Sequence, residues 1–196
     1  MPDFPFDELD VNLMPPGFQP GGFSCGEEEL DDYITDGSAV RDMEASYSQT
    51  YLVTHKGELV GYVSVLADAI HLQTKERPDG VTYPNAPALK LGRMAVRKEY
   101  RGNHIGGWML KYVVAVARQM ATTCGCRYVT LDAKRREKLV RFYEEFGFVH
   151  NKGESSTRKI IRQGLSRIGL DVLLPTFSMR YDILLRQEVS DRNSAG

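Results

Sequence analysis

The chain has 196 residues, 42% of them hydrophobic, and a formal net charge of -1, enough apolar content for one sizeable core and a single domain over 1–196. No apolar run approaches the roughly 20 residues that span a bilayer, and the acidic opening MPDFPFDELDV is unlike a basic signal-peptide start, so a cytoplasmic protein without a membrane partner is expected. Cys25, Cys124 and Cys126 are odd in number and lack the C-x-x-C spacing of redox or zinc sites, which argues for buried or inert thiols and no metal.

The small net charge hides an asymmetry. Residues 1–50 carry twelve acidic side chains against one basic, whereas residues 134–167 carry ten basic against four acidic. Such a basic stretch either complements the acidic half or meets a polyanion.

In chain order, residues 1–22 hold five of the nine prolines, with Phe4, Phe6 and Phe18 among them, the pattern of an extended arm pinned by aromatics. SCGEEELDDYI starts a helix, with acids in the first turn and Leu30, Tyr33 and Ile34 on one apolar side. SQTYLVTHKGELVGYVSVLADAI alternates on both sides of Lys56-Gly57 and predicts a β-hairpin. QTKERPDGVTYPNAP is a polar loop. ALKLGRMAV predicts a strand, Ile105 to about Thr122 a helix, CRYVTLDA a strand, and REKLVRFYEEF a helix ended by Gly147. After FVHNKGESS, TRKIIRQGLSRIGLDVLL predicts a short helix and TFSMRYDIL a closing strand, with 186–196 a frayed tail. There is no internal repeat and no linker.

YRGNHIGGWML, Tyr100 to Leu110, sits between a strand and a helix, the usual order of a backbone that holds phosphate. A Walker A loop requires lysine and a hydroxyl after its last glycine, and Trp108-Met109 supply neither. A dinucleotide fingerprint requires glycine two residues after Gly102, where His104 stands. Both readings fail.

Two motifs resemble the GNAT family of N-acetyltransferases, and the likeness runs from about Phe23 to Leu184. LGRMAVRKEYRGNHIGGWML is similar to that family's acetyl-coenzyme A loop, and RFYEEFGF, Arg141 to Phe148, is similar to its late helix, whose tyrosine faces the sulfur. The resemblance implies an α/β (α+β) fold, with a mixed, largely antiparallel central sheet flanked by helices and acetyl-CoA in the cleft between splayed fourth and fifth strands. It also implies transfer of an acetyl group from acetyl-CoA to a primary amine by direct attack, and a homodimer.

On this resemblance the pyrophosphate lies on the N–H groups of Arg101, Gly102, Asn103, His104, Ile105, Gly106 and Gly107, and the pantetheine pairs alongside Met94, Ala95 and Val96. His104 departs from the family's glycine. Tyr143 is the implied general acid for the leaving thiolate; by periodicity alone it would be a core tyrosine on an amphipathic helix. Arg136 and Leu139 depart from the family's Asn and Ala, and a cationic Arg136 suits a substrate phosphate instead. The strand Leu89 to Val96 lacks the frequent glutamate base. That leaves Asp68, His71 or Asp132 acting through water, or an α-amino acceptor, which titrates at roughly 7.7–8.0 and needs little help.

GGFSCGEEELDDYI, Arg93 in LGRMAV and TFSMRYDIL are similar to a narrower GNAT branch of toxins that acetylate the α-amino group of aminoacyl-tRNA. In that reading the basic stretch 134–167 meets RNA backbone and Arg93 lies near the substrate. The fold also serves non-catalytic acyl-CoA sensors, which the missing carboxylate and His104 would fit. Slow thiol release from acetyl-CoA, faster with amines, separates an enzyme from a sensor.

Overall fold

The apolar alternation around Lys56-Gly57 folds as the expected hairpin. Strand β2 (Gln49–His55) pairs antiparallel with β3 (Glu58–His71). Lys56 at φ 52° and Gly57 at φ 83° both take left-handed backbone, the turn geometry whose twist matches that of the flanking strands. The computed structural model describes residues 4–151 and 176–184. The expected helix at TRKIIRQGLSRIGLDVLL, the basic residues Lys152 to Arg167 and the tail 186–196 lie outside the described residues.

The proline-rich start is extended, and more ordered than an arm. After a single 3-10 turn at Phe6–Glu8, Leu9–Leu13 forms β1 and pairs antiparallel with β2. Phe4 packs against Phe6, His55 and Tyr100, with ring centroids 5.5, 5.2 and 6.3 Å away. The remaining elements are α1 (Glu28–Thr35), α2 (Ser38–Glu44), β4 (Asn85–Val96), α3 (Ile105–Thr123), β5 (Tyr128–Lys134), α4 (Glu137–Phe146), β6 (Val149–His150) and β7 (Thr176–Asp182). Among the described residues seven strands run in the order β1-β2-β3-β4-β5-β7-β6, a mixed and largely antiparallel sheet.

Two compact units divide these elements, residues 1–67 with 91–116 and residues 68–90 with 117–196. In the first, Phe23, Cys25, Tyr33, Ile34, Leu52 and Tyr62 form a buried cluster. Each large side chain removed from water in this way contributes about 1.5–3 kcal/mol. At Gly61 of β3 a Cβ would lie 2.7 Å from the Ala95 carbonyl oxygen and 3.2 Å from the Met109 side chain, so only glycine lets these backbones meet.

In the second unit β5 pairs antiparallel with β7, setting Val129 opposite Tyr181 and Leu131 opposite Met179. Alternation buries these four and leaves Thr130, Asp132, Ser178, Arg180 and Asp182 for the other face. Helix α4 stops at Gly147, whose φ of 113° lets its N–H and that of Phe148 bond back to carbonyls of the last turn.

Candidate active site

In the first unit β4 ends at Val96, a 3-10 turn covers Lys98–Tyr100, and α3 begins at Ile105. Between them the backbone is left-handed at Gly102 (φ 84°) and at His104 (φ 58°). The departure from glycine at His104 thereby has a structural meaning. The position demands positive φ, which glycine meets without strain and histidine more readily than most side chains. The His104 carbonyl accepts the N–H of Trp108 at 3.2 Å, so it stands just before the helix.

No acidic side chain occupies the first turn of this 19-residue helix, so the positive end of its dipole is not offset there. A Cβ at Gly102 or Gly107 would meet nothing within 4 Å. The helix start therefore has room beside these two glycines for a bound anion.

The loop is fastened from upstream. The Arg101 guanidinium donates to the Cys25 carbonyl, and the Lys98 N–H donates to the Ser24 carbonyl at 3.0 Å. The same turn is held by Asp31, which accepts from the Ser24 hydroxyl at 2.8 Å and from the Cys25 N–H at 2.6 Å. Burial works to raise the Asp31 pKa, but the hydrogen bonds from Cys25, Ser24 and Gly26 prevail and hold it below the usual carboxylate value. Asn103 turns its amide back to the Tyr100 carbonyl at 3.1 Å.

Arg93 shows a contact that the sequence does not announce. Its guanidinium lies over the ring of Tyr33 from α1, 3.9 Å from the centroid, and its Nε is buried with no hydrogen-bond partner among the described residues. The Tyr33 hydroxyl meets Asp42 at 3.2 Å, Ser48 at 3.2 Å and Ser64 at 3.1 Å. The sequence marked Tyr33 on the apolar side of its helix and Arg93 in LGRMAV, but nothing linked the two. Ala95, two residues on, is buried, while Met94 and Val96 are half-buried.

Tyr143 and Arg136 belong to the second unit. Tyr143 is buried between Phe142 and Phe148, with ring centroids 5.2 and 5.7 Å away. Desolvation pushes its phenol up to about 12, so it keeps its proton at neutral pH. Arg136 is exposed at the N-cap of α4, its carbonyl accepting from Leu139 and Val140. Of the three candidate bases, Asp132 pairs with Lys90 at 2.9 Å, Asp68 accepts from the Thr130 hydroxyl at 2.6 Å, and exposed His71 meets the Asn85 amide at 3.4 Å.

Among the described residues no group of three or more His, Cys, Asp or Glu side chains is placed to hold a metal ion. None of their helices is long and apolar enough to cross a membrane.

A family model for the acetyltransferase (GNAT) domain matches residues 46–150. A tRNA-acetylating toxin of Mycobacterium tuberculosis is 27% identical over 132 residues, 64% of this chain and 75% of the relative. Two solved structures share the fold. One is AtaT complexed with acetyl-methionyl-tRNAfMet, with a TM-score of 0.68 and 21% identity over 80% of this chain and 99% of that one. The other is AtaTR bound with AcCoA, with a TM-score of 0.70 and 18% identity over 93% of this chain and 98% of that one.

Proposed function

The chain belongs to the GNAT acetyltransferase family and uses acetyl-CoA as its co-substrate, and from that premise we propose that it acetylates the α-amino group of aminoacyl-tRNA. The observation that carries the chemistry is the left-handed turn at Gly102 and His104, opening onto a helix start without acids. The acceptor is supported by the relative described as a tRNA-acetylating toxin, matched over 75% of its length.

In this reading the loop from Arg101 to Gly107 holds the pyrophosphate through backbone N–H groups, and Met94, Ala95 and Val96 pair with the pantetheine. Arg93, braced by Tyr33, orients the acceptor, with Arg136 a second cation for its phosphates. The neutral α-amine attacks the thioester carbonyl, so that a C–N bond forms and the C–S bond breaks. Tyr143 gives its proton to the departing sulfur, and the surplus proton on nitrogen returns to the phenolate through water. The apolar surroundings that hold the proton on Tyr143 also raise the proton affinity of a thiolate formed beside it, which favours the transfer. No strong base is needed, because an α-amino group titrates at roughly 7.7–8.0.

The acting species in this proposal is a cytoplasmic homodimer, following the family resemblance; sedimentation velocity checks it. The deciding experiment incubates the protein with isotope-labelled acetyl-CoA and charged tRNA, peptides and small amines, and follows the label by mass spectrometry. Label on the aminoacyl group of charged tRNA is expected. Label only on other amines would reject the acceptor.

A further inference from the structure

The spacing of Glu137, Val140, Arg141 and Glu144 places them on one face of α4. The β5–β7 register sets Ala133 opposite Phe177 and Lys134 opposite Thr176, so Phe177 stands one pair inside the end of the ladder and Arg135 just past it. These six side chains line a hollow of about 440 Å³, within the size range of small-ligand sites.

Its floor is flat. The Arg135 guanidinium lies 4.1 Å from the centroid of the half-buried Phe177 ring, and the His150 ring stands edge-on to Phe177, 5.0 Å away at 88°. Two of the lining residues are carboxylates. Glu137 pairs with Arg141 at 3.1 Å and Glu144 with His150 at 3.1 Å. Among the described residues each of these contacts leaves lone pairs of the carboxylate for another donor.

Cations and carboxylates are balanced around the hollow, so it offers little pull on phosphate. A guanidinium stacked on an aromatic ring, beside carboxylate acceptors, instead suits a planar ring with an amino edge. Unpaired bases are held in this manner, stacked on aromatic or arginine planes and hydrogen-bonded along their edges, and a carboxylate accepts from the exocyclic amine of cytosine. We propose that this hollow seats an amino-bearing base from the unpaired 3′ end of the tRNA acceptor. The inference rests on the aminoacyl-tRNA reading. Every tRNA ends in the unpaired sequence CCA, three bases that all carry an exocyclic amine, so such a hollow would accept any tRNA and exclude an end with uracil.

The test uses the full chain and two short single-stranded RNAs, identical but for a CCA or a UUU end, with binding followed by fluorescence anisotropy. The parent should bind the CCA-ended RNA about five-fold or more tighter. Arg135→Gln and Phe177→Leu should each erase that preference. Circular dichroism checks that both variants are folded. Equal binding of the two RNAs by the parent, or a preference that survives in Arg135→Gln, overturns the proposal. So does displacement of the CCA-ended RNA by coenzyme A, which would assign the hollow to the adenine of the co-substrate. Acetylation of charged tRNA by the parent is measured separately, so the hollow can fail while the acceptor stands.

Discussion

Arg93 of β4 rests on the ring of Tyr33 of α1, 3.9 Å from its centroid, while the Tyr33 hydroxyl is held by Asp42, Ser48 and Ser64. The ring orients the cation and the hydroxyl fixes the ring, so the two parts of this tyrosine separate by substitution. Tyr33→Phe keeps the platform but leaves buried Ser48 and Ser64 without that partner, at about 1–3 kcal/mol of stability. Tyr33→Leu removes the platform as well. Urea unfolding should show a loss in both, whereas KM for the acceptor should rise only in Tyr33→Leu. Equal acceptor KM values in the two variants would remove Arg93 from the acceptor's site.

Gly107→Asp separates folding from binding. The added side chain has open space, and a carboxylate in the first turn stabilises a helix by about 0.3–1 kcal/mol. The same charge repels a pyrophosphate lying on those N–H groups. Thermal unfolding should therefore hold or rise while calorimetry shows acetyl-CoA affinity down by at least about ten-fold. Unchanged affinity would place the pyrophosphate elsewhere.

Tyr143→Phe keeps the packing against Phe142 and Phe148 and removes the proton. Turnover should fall roughly 10²-fold or more with acetyl-CoA affinity nearly constant. Because burial pushes the phenol up to about 12, the parent's rate should climb with the acceptor's α-amine through roughly 7.7–8.0 and show no alkaline fall due to Tyr143 below pH 10. Stability carries its own signature. The unfolded tyrosine ionises near 10, so the contribution from keeping Tyr143 neutral is complete below that pH and is lost as pH rises toward about 12. Alkaline melts should be shallower in Tyr143→Phe than in the parent.

The cysteines should differ in reactivity. Cys124 is exposed, whereas Cys25 and Cys126 are buried. Desolvation, then the hydrogen bond with Asp31, pushes the Cys25 thiol up to about 11, and burial also raises Cys126. An alkylating reagent at pH 8 should modify Cys124 quickly and the other two only on unfolding. Peptide mapping showing fast modification of Cys25 would contradict the buried turn at Ser24–Asp31.

Much of the local structure was legible because its cause is local. Gly147 ends α4 through its own left-handed backbone, and Lys56-Gly57 turns the hairpin within two residues. What escaped the sequence depends on partners far along the chain. Leu9–Leu13 is a strand because β2 offers it an edge, which a proline-rich composition cannot reveal. β4 begins at Asn85 inside the expected loop, in a stretch where the Pro84 carbonyl accepts from Leu72 and the Pro87 carbonyl from Arg127. α2 follows α1 as a separate helix because Gly37, at φ 81°, breaks the chain direction between them. The glycine loop stood out by its place between a strand and a helix, and its assignment came from the family resemblance. The Tyr33–Arg93 stack did not stand out, since nothing in either segment names the other.

The carbonyls of Ser24 and Cys25 receive the loop at Lys98 and Arg101, and the same short turn is clasped by Asp31 of the helix that carries Tyr33. The family match starts only at residue 46, yet the brace of the loop from Lys98 to Arg101 and the platform under Arg93 both lie upstream of it. The edge of the family match therefore falls inside this packed arrangement. A fragment trimmed to the matched region would retain the glycines and lose what holds them in shape, and truncation designs for this chain should begin ahead of Phe23.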